Sequence, residues 1–153
     1  MDIDEQALAT IMHWLAGLGY HHTTITPLSH AQVNARPGNA WARSIKQAVK
    51  LSPADSQGLQ DIFGWSRAFH ETEVPVELFK LMQQARILSA HEDGWRSQLR
   101  ISSLDGQLYA HSAFPTTAED AVFFGPDTYR YVHEINNELA TRSEPVLRAA
   151  DIG

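Results

Sequence analysis

Near residue 95 the spacing of apolar side chains changes, and that change sets the fold class. Upstream, apolar residues recur at helical spacing, as Leu8, Ile11, Met12, Leu15 and Leu18 in one run and Leu78, Phe79, Leu81, Met82 and Ala85 in another. Each run describes a helix with one buried face. From Trp95 to Ile101 the residues alternate instead, with Trp95, Ser97, Leu99 and Ile101 on one side and Arg96, Gln98 and Arg100 on the other. That is the pattern of a strand with one wet face. Leu104-Asp105-Gly106 signals a turn, and Gln107 to Ala113 returns as the partner strand. The expected class is α+β and mainly helical, with a late β-hairpin.

The remaining elements follow from start and stop signals. Asp2 and Glu5 have capping-box form ahead of a helix over Asp4 to Leu18, which Gly17 and Gly19 end. Pro27 and Pro37-Gly38 limit the polar stretch from His21 to Asn39 to a short helix. A further helix is expected from Asn39 to Leu51, with Trp41, Ile45, Ala48 and Val49 inward. Ser52-Pro53-Ala54-Asp55 opens another that carries Leu59, Ile62 and Phe63 to about Ser66. The next begins near Pro75 and is closed by Ile87 and Leu88. Three helices followed by a hairpin is the order of a winged helix, with the helix from Pro75 in the recognition position and the hairpin as the wing. Residues 1–113 form this winged-helix-like unit, and 114–153 a linker with one more helix, opened by Gly125-Pro126 and carrying Tyr129, Val132, Ile135 and Leu139 to Thr141.

A length of 153 residues suits a single core, and the absence of cysteine removes disulfides, thiolate metal sites and cysteine nucleophiles. The start is acidic, and no apolar run approaches the ~18 residues of a membrane span, so a cytoplasmic location is expected. The net charge of -6 argues against a chain built to coat nucleic acid. Its distribution is uneven, because no acid lies between Glu5 and Asp55 while Arg36, Arg43, Lys46 and Lys50 do. Trp41 among Arg36, Arg43 and Lys46 could stack on single-stranded RNA. Arg96 and Arg100, two apart on one strand face, could meet one phosphate track, or be solvated arginines of an edge strand. The wet residues of the helix from Pro75 (Glu77, Lys80, Gln83, Gln84 and Arg86) are of mixed sign, which fits a structural or protein-docking role better than reading duplex DNA.

The ending Val146-Leu-Arg-Ala-Ala-Asp-Ile-Gly153 resembles the first strand and glycine-loop opening of class I S-adenosylmethionine-dependent methyltransferases, in which an apolar strand leads into Asp-x-Gly-x-Gly-x-Gly. The segment Asp120-Ala-Val-Phe-Phe-Gly-Pro-Asp-Thr-Tyr-Arg130 is similar to the one ahead of that strand in bacterial members with the "small" methyltransferase domain. The Leu104 to Ser112 hairpin and the helices before it are similar to their N-terminal extension, so the resemblance spans roughly Ser52 to Gly153. It implies a helix leading to the first strand of a Rossmann-like domain whose remainder is missing. Asp151 and Gly153 would then belong to the cofactor site, and Gly125, Pro126, Asp127, Thr128 and Tyr129 would line it. Trp41, Arg43, Lys46, Arg96 and Arg100 are the candidates for holding substrate. The later glycines, the ribose-binding acid and the Asn/Asp-Pro-Pro-Tyr motif of N-methylating members are absent. S-adenosylmethionine would therefore bind the full-length parent and not this chain alone. The implied partners are an RNA or protein substrate, ribosomal ones included, and the methyltransferase domain itself. The alternative is a self-contained winged-helix regulator of nucleic acid or a protein-interaction adaptor.

Other patterns carry less chemistry. His70-Glu71, His91-Glu92 and His133-Glu134 each lack the second histidine of a zinc-protease helix. His21, His22 and His30 have no converging spacing and read as surface loop histidines. Gly64-Trp65-Ser66-Arg67-Ala68 approximates a nucleophile elbow but follows a helix, so it reads as a helix end.

Overall fold

Asp4, rather than Asp2, starts the first helix of the computed structural model: its Oδ1 accepts the Ala7 N–H at 3.0 Å. Asp2 instead pairs with the Arg86 guanidinium. The structure describes residues 2–35, 56–92 and 94–150. Helix α1 runs Glu5–Gly17 and buries Ala7, Ile11 and Leu15, each four residues after the last. Gly19 turns the chain away at φ +68°, a conformation that glycine adopts without strain. The short α2, Pro27–Asn34, is capped by the Thr26 hydroxyl, which accepts the Ser29 N–H at 3.3 Å. The expected helix over Asn39–Leu51 and the Ser52–Asp55 start lie outside the described residues.

Helix α3, Ser56–Phe63, buries Leu59, Ile62 and Phe63. It ends earlier than the expected Ser66: the Trp65 N–H folds back to the Gln60 carbonyl at 2.9 Å, Ser66 takes the left-handed φ of 53°, and Gly64 is pressed against the His22 ring, where an added Cβ would lie 2.4 Å from Nδ1. A 3₁₀ turn at Glu71–Glu73 precedes α4, Val76–Gln84. Leu78, Phe79 and Met82 of α4 are buried, and its packing partner across the core is α1.

The apolar spacing predicts that Ile87 and Leu88 close α4, and they do not. The helix stops at Gln84 in a Schellman arrangement, in which the Arg86 N–H reaches the Gln83 carbonyl and the Ile87 N–H the Met82 carbonyl. Arg86 occupies the left-handed position, φ +59°, where a glycine would have announced the stop. Leu88 therefore opens a strand. Strand β1, Leu88–His91, pairs antiparallel with β2, Gly94–Ser97, in the register Leu88↔Ser97. The alternating run is thus two strands, broken at Gln98, whose N–H donates to the Ile87 carbonyl at 2.7 Å. The second hairpin joins β3, Leu99–Leu104, to β4, Gln107–Ser112, through the expected turn.

The described residues are therefore α+β, with five α-helices and two small antiparallel hairpins; the fifth, α5, is Pro126–Thr141. The helical faces and the Leu99 and Ile101 side of β3 close one core. Among the described residues no helix is long and apolar enough to cross a membrane.

Two substitutions separate core packing from the helix stop. Met82→Ala removes a fully buried side chain and should cost about 2–5 kcal/mol of unfolding free energy. Arg86→Gly should change it by less than about 1 kcal/mol, since glycine suits that backbone and the lost ion pair is exposed. Urea denaturation followed by circular dichroism measures both.

Candidate functional site

The turn at Asp105 and Gly106, both at positive φ (49° and 76°), closes a two-residue hairpin loop and fixes its register. Arg100 then faces His111 across the ladder, and Ser102 faces Tyr109. Side chains alternate along a strand, so Leu99 and Ile101 enter the apolar core while Arg100, Ser102 and His111 share the opposite face. The alternation predicts that this face is wet, and it is buried instead. Arg100 is 2% exposed, because the 20–24 segment, α2 and the start of α5 cover it.

The covering segments are held by specific bonds. His22 N–H donates to Ser103 Oγ at 3.1 Å, and Ser103 N–H to the His22 carbonyl at 2.9 Å. Thr24 Oγ1 bonds the Ser102 hydroxyl, which in turn lies 2.8 Å from His111 Nε2. From α5, Tyr129 Oη accepts the Thr24 N–H at 3.1 Å. Phe124 stacks on His111 at 5.2 Å between ring centroids and meets Tyr129 edge-on. His30 stacks on Phe114 at 4.3 Å.

Burial holds these histidines neutral, and the neighbouring Arg100 charge adds to the effect. The pKa of His22 and of His30 is lowered to about 4, and that of His111 to about 3. The partners of His30 fix its tautomer, because a carbonyl only accepts and a guanidinium only donates: Nε2–H donates to the Trp65 carbonyl at 3.0 Å, and Nδ1 accepts from Arg100 at 3.5 Å. His111 Nδ1 has no hydrogen-bond partner among the described residues. Arg100 Nε donates to the Ser112 carbonyl at 3.2 Å, and burial lowers the guanidinium pKa to about 10, which leaves it charged at neutral pH.

Arg96 lies apart from this cluster. Its Nε donates to the Ser66 carbonyl at 2.6 Å and a terminal nitrogen to the Phe114 carbonyl at 2.9 Å. The two arginines therefore do not present one phosphate track at the surface; each is turned inward onto backbone carbonyls. Of the residues expected near a cofactor, Tyr129 joins the cluster, while Gly125 and Thr128 form the helix start, Gly125 N–H donating to Thr128 Oγ1 at 3.3 Å. Pro126 is the first residue of α5, and Asp127 is exposed beside Arg130. Trp41, Arg43, Lys46, Asp151 and Gly153 lie outside the described residues.

His22 and His30 are buried rather than loop-surface histidines, and His111 is a cluster member that the residue pattern alone did not single out. Its signal was present: counting back from the Asp105-Gly106 turn pairs position 111 with Arg100. Among the described residues no group of three or more acidic or histidine side chains could hold a metal ion. No family model, no curated protein and no solved structure matches the chain.

Because the folded-state pKa of each buried histidine lies below the ordinary 6.5, the unfolded chain binds more protons on acidification. Stability is expected to fall as pH drops from 6.5 towards 4, by on the order of 1 kcal/mol per pH unit for each histidine. Urea midpoints at pH 7, 6 and 5 measure this. In Arg100→Met the same imidazoles should titrate at higher pH, which histidine NMR titration reads directly.

Proposed function

We propose that this chain is the N-terminal substrate-positioning module of an S-adenosylmethionine-dependent methyltransferase, presenting RNA or protein for N-methylation by a catalytic domain. Residues 1–113 are its winged-helix-like body, with α4 in the recognition position and β3–β4 as the wing. Helix α5 links that body to the catalytic domain, and the Val146–Gly153 tail enters the domain's first strand. The binding of S-adenosylmethionine belongs to the assembled enzyme, with Asp151 and Gly153 at the cofactor.

The observation that carries this reading is the two-sided character of α5. One side of its first turn is docked through Tyr129 on Thr24 and on Phe124, the residue just ahead of the helix that stacks on His111 of the hairpin. Farther along, Tyr131, Ile135 and Leu139 are 62%, 39% and 47% exposed, an apolar stripe at helical spacing. A helix that seats one end on its own domain and leaves such a stripe open has the form of a bridge to a second folded unit. The inward turn of Arg96 and Arg100 leaves an RNA substrate to Trp41, Arg43 and Lys46.

The gene read past codon 153 should encode further loop glycines and an Asn/Asp-Pro-Pro-Tyr motif; a stop codon there favours the self-contained winged-helix regulator or adaptor. The purified 153-residue chain, given tritiated S-adenosylmethionine with cell RNA and protein, should transfer no label. Structured RNA should bind it in low salt and weaken steeply on salt addition. No binding even in low salt leaves protein as the substrate.

A further inference from the structure

A cavity of about 500 Å³ lies between the N-terminal end of α1, the β2–β3 junction, β4 and the 113–122 loop. Ile3, Leu8, Leu99, Ala110 and Ala121 give it largely apolar walls. Its volume is that of a small-molecule site. One side is different. Arg96 and Phe114 both line it, and the Arg96 guanidinium donates to the Phe114 carbonyl there. Ser112, also in the wall, takes the hydrogen bond from Arg100 Nε.

Neither arginine has a carboxylate within 4.0 Å among the described residues, whose ion pairs use Arg67, Arg86, Arg130 and Arg142. Asp120, the one carboxylate of the cavity wall among the described residues, is exposed and has contacts of its own. Carbonyl dipoles solvate a guanidinium without cancelling its charge, so an inward-turned arginine with no counter-ion among the described residues favours an anion beside it. Arg96 spends Nε and one terminal nitrogen on carbonyls, and its other terminal nitrogen makes no hydrogen bond among the described residues. One free terminal nitrogen suits a monoanion better than a phosphate dianion.

We propose that this cavity binds a small amphipathic carboxylate, its apolar body against Ile3, Leu8, Leu99 and Ala110 and its acid group beside Arg96. The proposal does not depend on the methyltransferase reading, since it uses only the cavity and its walls.

Octanoate is the probe, with octylamine and 1-octanol as controls that keep the chain and change or remove the charge. Calorimetric titration of the whole protein should give saturable octanoate binding, octanol weaker by about tenfold and no binding of octylamine. Arg96→Met should remove the preference for octanoate over octanol. Arg96 also anchors two carbonyls, so a second variant keeps both arginines: Ala121→Trp fills the cavity from its half-buried wall and should abolish octanoate binding while the circular dichroism stays unchanged. The proposal is overturned if octanoate does not bind, if octylamine binds as well, or if folded Ala121→Trp binds octanoate undiminished.

Discussion

A buried guanidinium orders the polar half of this protein. Arg100 sits on a strand whose other face belongs to the apolar core, so its charge cannot escape to solvent without dragging Leu99 and Ile101 out of place. Everything packed on that face must therefore accept hydrogen bonds from it or stay uncharged beside it. The Ser112 carbonyl and His30 Nδ1 do the first. His22 and His111 do the second, and the hydroxyls of Thr24 and Ser102 link the segments that carry them. An arrangement of this kind is stable only when complete, because each missing acceptor leaves part of a charge buried without a partner.

Much of the scaffold could be read from the residues, and for identifiable reasons. The α1 face, the Leu59, Ile62 and Phe63 set, the Leu78 to Met82 set and the Gly125-Pro126 helix start are each repeated local signals that tertiary packing reinforces. The hairpin turn was equally plain, since Asp105-Gly106 meets the backbone demand of a tight loop directly. The end of α4 was hidden. Arg86 took a left-handed conformation with no glycine to mark it, so Ile87 and Leu88 kept the look of a helix that had already stopped. With that boundary misplaced, β1 could not be seen.

The polar cluster was harder still, because it depends on what covers a face rather than on the face itself. Arg96, Gln98 and Arg100 alternate correctly away from the core, and alternation says nothing about a second layer. That layer comes from segments distant in sequence: Thr24, His30, Phe124 and Tyr129. No local pattern announces such contacts. The turn register would have placed His111 opposite Arg100, but not the histidine of α2 that completes the set.

The bond from the Thr24 amide to Tyr129 spans 105 positions of chain. Truncation ahead of α5 would thus orphan an inward-facing amide and lift one layer off the guanidinium beneath it.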